Sequence, residues 1–214
     1  MNPEVKQDNR KKLRWLMLGH LMKRVWDPKL GMYAERTDSP TAKIAATRQL
    51  ILSEEPGGDG DDPWVVASVD ADQAFLQALV FNEKDGKRYV GWMPFKGAEL
   101  LVFEQLGVIY GECEAPLRWH ETLQPAMERL GYTPGQNDPC VYKREWDSEA
   151  DGKHEAGDKG YVEWRGSEII VRVSTHVDDL LVKGRSSKVK QFFEELKGEF
   201  LMKPPVYLGV GKPL

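Results

Sequence analysis

The feature that most constrains this chain is a pair of adjacent aspartates, Asp178-Asp179, set between two apolar runs, Ile169-Ile170-Val171-Arg172-Val173 and Leu180-Leu181-Val182. Apolar, β-branched runs joined by a short polar segment read as a β-hairpin, with Ser174-Thr175-His176-Val177-Asp178-Asp179 at its tip. Aspartate at a turn bonds its own backbone, so the pair taken alone is consistent with turn formation. Here, however, the acids ride on core strands, and an unpaired carboxylate cluster at a sheet edge needs cations to offset its repulsion. A second strand, Trp64-Val65-Val66-Ala67-Ser68-Val69, reads as buried on both faces and delivers Asp70 at its C-terminal end. Asp70 and Asp178 are 108 positions apart, a separation that neighbouring strands can close. Hard oxygen ligands suit Mg²⁺ or Mn²⁺, and two such ions about 4 Å apart serve in-line phosphoryl or nucleotidyl transfer.

The rest of the chain supplies a frame for these acids. Lys12-Leu13-Arg14-Trp15-Leu16-Met17-Leu18 reads as a strand, although helix and strand are hard to separate in so short a run. A strand there puts Lys12 and Arg14 on one face, either toward a ligand or as a solvated basic edge. Ser39-Pro40 signals a helix start; Ile44, Arg48 and Ile51, with Thr47 and Leu50, keep helical spacing to an end near Leu52. Ser53 to Pro63 is polar and rich in Gly, Pro and Asp, hence an exposed loop. Arg118 to Leu130 places Trp119, Leu123, Met127 and Leu130 on one helical stripe that Gly131 stops, with Pro125 disturbing its middle. Glu145 to Gly160 reads as a charged insertion outside the core. Ser186 or Ser187 caps a last helix with Val189, Phe192, Phe193 and Leu196 inward, ending at Gly198, and Val206 to Val210 forms a closing strand. This order predicts an α+β fold, an antiparallel sheet with helices packed on one face.

Composition narrows the function classes. With 41% hydrophobic residues in 214, the chain has enough apolar mass for a substantial core, and whole-chain disorder is excluded. No apolar run approaches the roughly 18 residues of a membrane span, and Met1 to Lys12 lacks a signal-peptide apolar region, so an intracellular protein without a membrane partner is expected. Cys113 and Cys140 are too few for a disulfide framework, and no C-x-x-C or H-x-x-x-H pair seats zinc. The net charge of −4 counts mildly against nucleic acid, but its distribution is uneven. Residues 1–50 carry 11 Lys+Arg against 5 Asp+Glu, and residues 51–214 carry 19 against 29. A basic arm precedes an acidic body.

Val69-Asp70-Ala71-Asp72-Gln73-Ala74-Phe75-Leu76 resembles the D-x-x-x-A-F-L motif of copia-type (Pseudoviridae) long-terminal-repeat retrotransposon reverse transcriptases, and His176-Val177-Asp178-Asp179-Leu180-Leu181 resembles their Y-V-D-D-L-L motif. Between them, Tyr110 to Trp119 is similar to Y-G-L-K-Q-A-P-R-x-W, Gly131-Tyr132 to the G-F position, and Asp138-Pro139-Cys140-Val141-Tyr142 to D-P-C-L-F. Upstream, Lys12 to Leu16 resembles K-A-R-L-V, and Ser39-Pro40-Thr41-Ala42 resembles S-P-V-A. The motifs run in family order from about residue 12 to residue 210.

The resemblance implies the fingers and palm of a right-hand polymerase: an N-terminal arm (1–11), fingers at about 12–63 with part of 82–115, and palm at about 64–81 and 116–214. It implies RNA-directed DNA synthesis on a primed RNA or DNA template from deoxynucleoside triphosphates. Asp70, Asp178 and Asp179 become catalytic and metal-binding carboxylates for two Mg²⁺ or Mn²⁺ ions, Asp70 and Asp178 holding the ions and Asp179 supporting. Phe75 matches the aromatic position that abuts the sugar, with a core role as the alternative. Arg14 and Lys12 would face the triphosphate, and Tyr110 and Gly111 would line the nucleotide pocket or pack in the core. A polyprotein with an upstream integrase and a downstream thumb and RNase H, in a cytoplasmic virus-like particle or the nucleus, belongs to the same implication. Three departures stand out. His176 replaces the motif tyrosine, Cys113 and Glu114 replace Lys and Gln, and the chain stops at Leu214, where the family continues into a thumb, so the thumb is expected to be absent. A non-catalytic nucleic-acid-binding or assembly remnant is therefore the competing reading, and the intermediate motifs disfavour a nucleotidyl cyclase.

Overall fold

The structure, a computed structural model, describes residues 4–5, 11–12, 26–29, 32–33, 40–53, 62–82, 86–92, 97–145, 162–164 and 167–208. In chain order the elements are β1 (Glu4–Val5), β2 (Lys11–Lys12), β3 (Trp26–Asp27), β4 (Met32–Tyr33), α1 (Ile44–Leu52), β5 (Trp64–Asp70), a 3₁₀ turn (Ala74–Gln77), β6 (Arg88–Trp92) and β7 (Leu101–Gln105). There follow α2 (Ala115–Arg129), β8 (Thr133–Pro134), β9 (Val141–Glu145), β10 (Val162–Trp164), β11 (Ser167–His176), β12 (Asp179–Arg185), α3 (Ser186–Glu199) and β13 (Val206–Leu208). Two compact units emerge, one of 1–39 with 75–122 and one of 40–74 with 123–214.

The second unit is built on a seven-stranded sheet in the order β13-β5-β12-β11-β9-β8, with β10 also on β11, and every pairing is antiparallel. The mixed α+β class and the antiparallel sheet agree with the sequence expectation. Helices on one face do not. Val65, Ala67 and Val69 of β5, Leu180 and Val182 of β12, and Val171 and Val173 of β11 share one buried face. On it lies α3 with Val189, Phe192, Phe193 and Leu196 inward. A Cβ built at Gly184 would meet the Ile170 carbonyl oxygen at 2.8 Å and Val189 Cγ2 at 3.3 Å, so glycine lets the helix close on the sheet. The opposite face takes α1, where Thr47 Oγ1 and Ser174 Oγ are 2.8 Å apart and the Arg172 guanidinium donates to Ser53 Oγ at 3.2 Å. Because that face carries Arg172, Ser174 and Lys183, β5 is half-buried there rather than buried on both sides.

Boundary shifts have local causes. α1 begins at Ile44, not at Pro40, because the Ala42 N–H is spent on the Thr175 carbonyl and the Lys43 N–H on Asp138 Oδ2 (2.9 and 2.8 Å). Its inward residue is Leu50, while Ile44 and Ile51 face solvent. α2 starts before Arg118, takes Pro116 in its first turn where a missing N–H is harmless, and continues through Pro125. The N-terminus of α3 is capped not by its own serines but by Asp62, whose carboxylate accepts from the Ser187 N–H at 2.7 Å and from the Ser187 hydroxyl. Of the closing strand, residues 209–210 lie outside the described residues.

In the other unit, β6 and β7 form a hairpin. Ala78, Val108 and Ala115 make a small core with Phe75 and Phe81 against it. Buried Glu112 accepts from Gln105 Nε2 (2.7 Å) and the Ile109 N–H (3.0 Å), pinning the loop ahead of α2. Among the described residues, no helix is long and apolar enough to cross a membrane.

Candidate functional site

Strand β5 ends on Asp70 and β12 begins on Asp179, and the two are direct partners in the antiparallel register. His176, the last residue of β11, is the partner of Asp179 on its other side. Asp70, Asp179 and His176 therefore lie in one row across three strands, and opposed residues in a pair point to the same face. Asp178 sits beside the row in the two-residue turn Val177-Asp178, which is tighter than the six-residue tip read from sequence. Its carbonyl accepts from the Ala71 N–H at 3.0 Å, which ties the turn to the end of β5.

Val177 has a φ of +57°. Asp178 does not share it, and positive φ at the first central position alone defines a type II′ hairpin turn, whose usual residue there is glycine. A β-branched residue in this region is strained, so the turn is held by its surroundings. The Asp179 carboxyl is raised above the ordinary carboxylate range by desolvation and by the charge of Asp178, while His176 pulls it down.

Sequence reading missed Lys203. The Lys203 N–H donates to the Asp70 carbonyl (2.9 Å), the Asp72 N–H donates to the Leu201 carbonyl (2.8 Å), and Ala71 and Met202 form a β-bridge. This antiparallel run brings the Lys203 ammonium onto Asp70 Oδ2 as an ion pair. The other oxygen, Asp70 Oδ1, is buried and has no hydrogen-bond partner among the described residues. A lysine 133 positions from its partner, ahead of a Pro-Pro pair, gives no pattern in sequence.

The remaining candidates fall in the other unit or outside the described residues. Phe75, in the 3₁₀ turn, packs on the small core, and its ring stands 5.1 Å from that of Tyr110 at 52°. Gly111 has a φ of +93°, a conformation that suits glycine in the turn after Tyr110. Lys12 enters β2 by its backbone, opposite Glu4, and Arg14 lies outside the described residues, as does 146–160 of the charged insertion. Asp138 of the D-P-C motif is structural. Its carboxylate accepts from the Lys43 and Cys140 N–H groups, joining the start of α1 to the turn before β9. Glu114 pairs with Arg88 and, at 3.5 Å, with Arg118, and both guanidinium groups lie over the Phe81 ring.

The Mg²⁺ or Mn²⁺ that the resemblance implies finds oxygen donors of the right hardness in Asp70 and Asp179, and Asp70 Oδ1 is the orphaned buried atom that a cation would satisfy. Among the described residues, no group of three or more His, Cys, Asp or Glu side chains stands together to hold a metal ion. No protein-family model, curated protein or solved structure matches the chain significantly. The class defined by the fold is a mixed α+β protein with an antiparallel sheet and an acidic row at the strand ends.

Proposed function

We propose that the chain is the fingers–palm module of a copia-type reverse transcriptase, an RNA-directed DNA polymerase working on a primed template by two-metal nucleotidyl transfer. The observation that carries this reading is the register of β5 and β12. Two motifs separated by more than a hundred residues in sequence meet as direct partners, Asp70 opposite Asp179, with Asp178 in the adjoining turn. Asp70 and Asp179 present carboxylates from the same face of adjacent strands, and Asp178 adds negative charge at the turn. Cations bound there would lower the pKa of a primer 3′-hydroxyl and neutralise a departing pyrophosphate. Phe75, Tyr110, Gly111, Lys12 and Arg14 remain nucleotide-contact candidates on the strength of the resemblance.

The second reading, a non-catalytic nucleic-acid-binding remnant, is favoured by the Lys203 ion pair, which already neutralises Asp70. Primer extension on an RNA template with Mg²⁺ or Mn²⁺ decides between them, with Asp178→Asn beside wild type. The polymerase reading expects incorporation by wild type and a loss of at least about a hundredfold in the mutant, the scale on which removing one charge-stabilising group acts. Equal rates in both proteins, or no incorporation by folded wild type, would remove it.

A further inference from the structure

The geometry points to Lys203 as a built-in counter-ion of Asp70 that a divalent cation must displace, so that cation binding and the Lys203–Asp70 ion pair exclude one another. The inference rests on the polymerase reading, in which Asp70 takes part in cation binding. Backbone bonds fix the meeting. Lys203 precedes Pro204, which biases it to the extended conformation, and the 201–203 run lies antiparallel to 70–72 through the two N–H···O bonds and the Ala71–Met202 bridge. The ammonium is thereby delivered to Oδ2. Its side chain is 43% exposed, so it can swing into water without breaking those backbone bonds.

Asp70 is left half-served. Lys203 covers Oδ2, while Oδ1 is buried with no donor among the described residues. An ammonium donates from one point with a single charge. A divalent cation draws on oxygens from more than one side chain and brings twice the charge to a row where Asp178 and Asp179 already repel each other. The two cations compete for one carboxylate, and holding both within a few ångströms sets like charges against each other. Without a divalent ion, Lys203 offsets part of the repulsion at the strand ends; with one bound, its ammonium is released.

The test is Mn²⁺ binding to the full chain, read from the free-Mn²⁺ electron paramagnetic resonance signal. Removing the competing charge in Lys203→Met should lower the Mn²⁺ Kd about tenfold relative to wild type. Lys203→Arg, which keeps the charge, should bind like wild type, and adding Asp70→Asn to Lys203→Met should abolish the gain. Equal Kd values for wild type and Lys203→Met would overturn the inference while leaving the carboxylates as cation ligands. Absence of Mn²⁺ binding in both would overturn the inference and the polymerase reading together. A readout on wild type needs no folded variant: acetic anhydride labelling of Lys203, followed by mass spectrometry, should rise several-fold on adding Mg²⁺. Unchanged labelling would overturn the displacement.

Discussion

At Val177 the chain adopts a backbone conformation that its own side chain resists. The φ of +57° sits in the left-handed region, where a β-branched residue crowds the neighbouring backbone, and the pairing of β11 with β12 on either side holds it there, with the Ala71 N–H on the Asp178 carbonyl. Glycine removes that crowding but loses more freedom on folding. With strain of about 1–3 kcal/mol against an entropic cost of about 0.5–1 kcal/mol, Val177→Gly should stabilise the protein by about 1 kcal/mol. Urea unfolding of the two proteins measures it, and a less stable glycine variant would mean that contacts of the valine side chain outweigh the strain. The same scale shows what sequence could disclose about the site. The strand-end positions of Asp70 and Asp179 were legible because one ends and the other begins an apolar run, and burial of the run dictates where the acid emerges; Asp178 was legible as the neighbour of Asp179 at the hairpin tip. His176 in the row and Lys203 on Asp70 were not legible, because both depend on which strands become neighbours. Asp138 and Glu112 lie within or beside quoted motifs, yet their carboxylates are spent on N–H and amide donors of the scaffold.

Helix α1 shows how an element can depend on residues far from it. Its last carbonyls lack partners within the helix, and Lys183, only 6% exposed on β12, donates to the Ile51 carbonyl at 3.3 Å and to Ser53 at its carbonyl (2.5 Å) and its hydroxyl (3.1 Å). A cation at a helix C-terminus also complements the macrodipole. Lys183→Met keeps the stem volume and removes the ammonium that donates to those carbonyls. The expected loss is about 2 kcal/mol of unfolding free energy by urea denaturation. A loss below about 0.5 kcal/mol would show that the desolvation cost of the buried ammonium cancels its bonds. Periodicity disclosed α3 fully, since Val189, Phe192, Phe193 and Leu196 all point into one core, and disclosed the Trp119, Leu123 and Met127 stripe of α2. It disclosed α1 and its end at Leu52, but not which side packs, because the helix meets a polar sheet face through Thr47 and Leu50, with Ser53 just past its end, leaving Ile44 71% exposed. A pattern search that equates inward with apolar picks the wrong side of such a helix.

Across the sheet unit, the strand that brings Asp179 to Asp70 is held on both edges and both faces. β12 bonds to β11 on one side and β5 on the other, with α3 over one face and α1 over the other. Among the described residues β13, at the sheet edge, bonds to β5 alone, and Val206, Tyr207 and Leu208 are exposed. Local opening should therefore be graded across the sheet, because releasing an edge strand breaks one ladder, whereas releasing β12 breaks two and uncovers the core. Native-state hydrogen exchange should find the amides of Leu180 to Gly184 exchanging at least about a hundredfold more slowly than those of Val206 to Leu208. Addition of Mg²⁺ should slow the Asp179 end of β12 further if carboxylates on both strands take up the ion. Equal protection of β13 and β12 would contradict the strand order, and with it the register that sets Asp70 opposite Asp179.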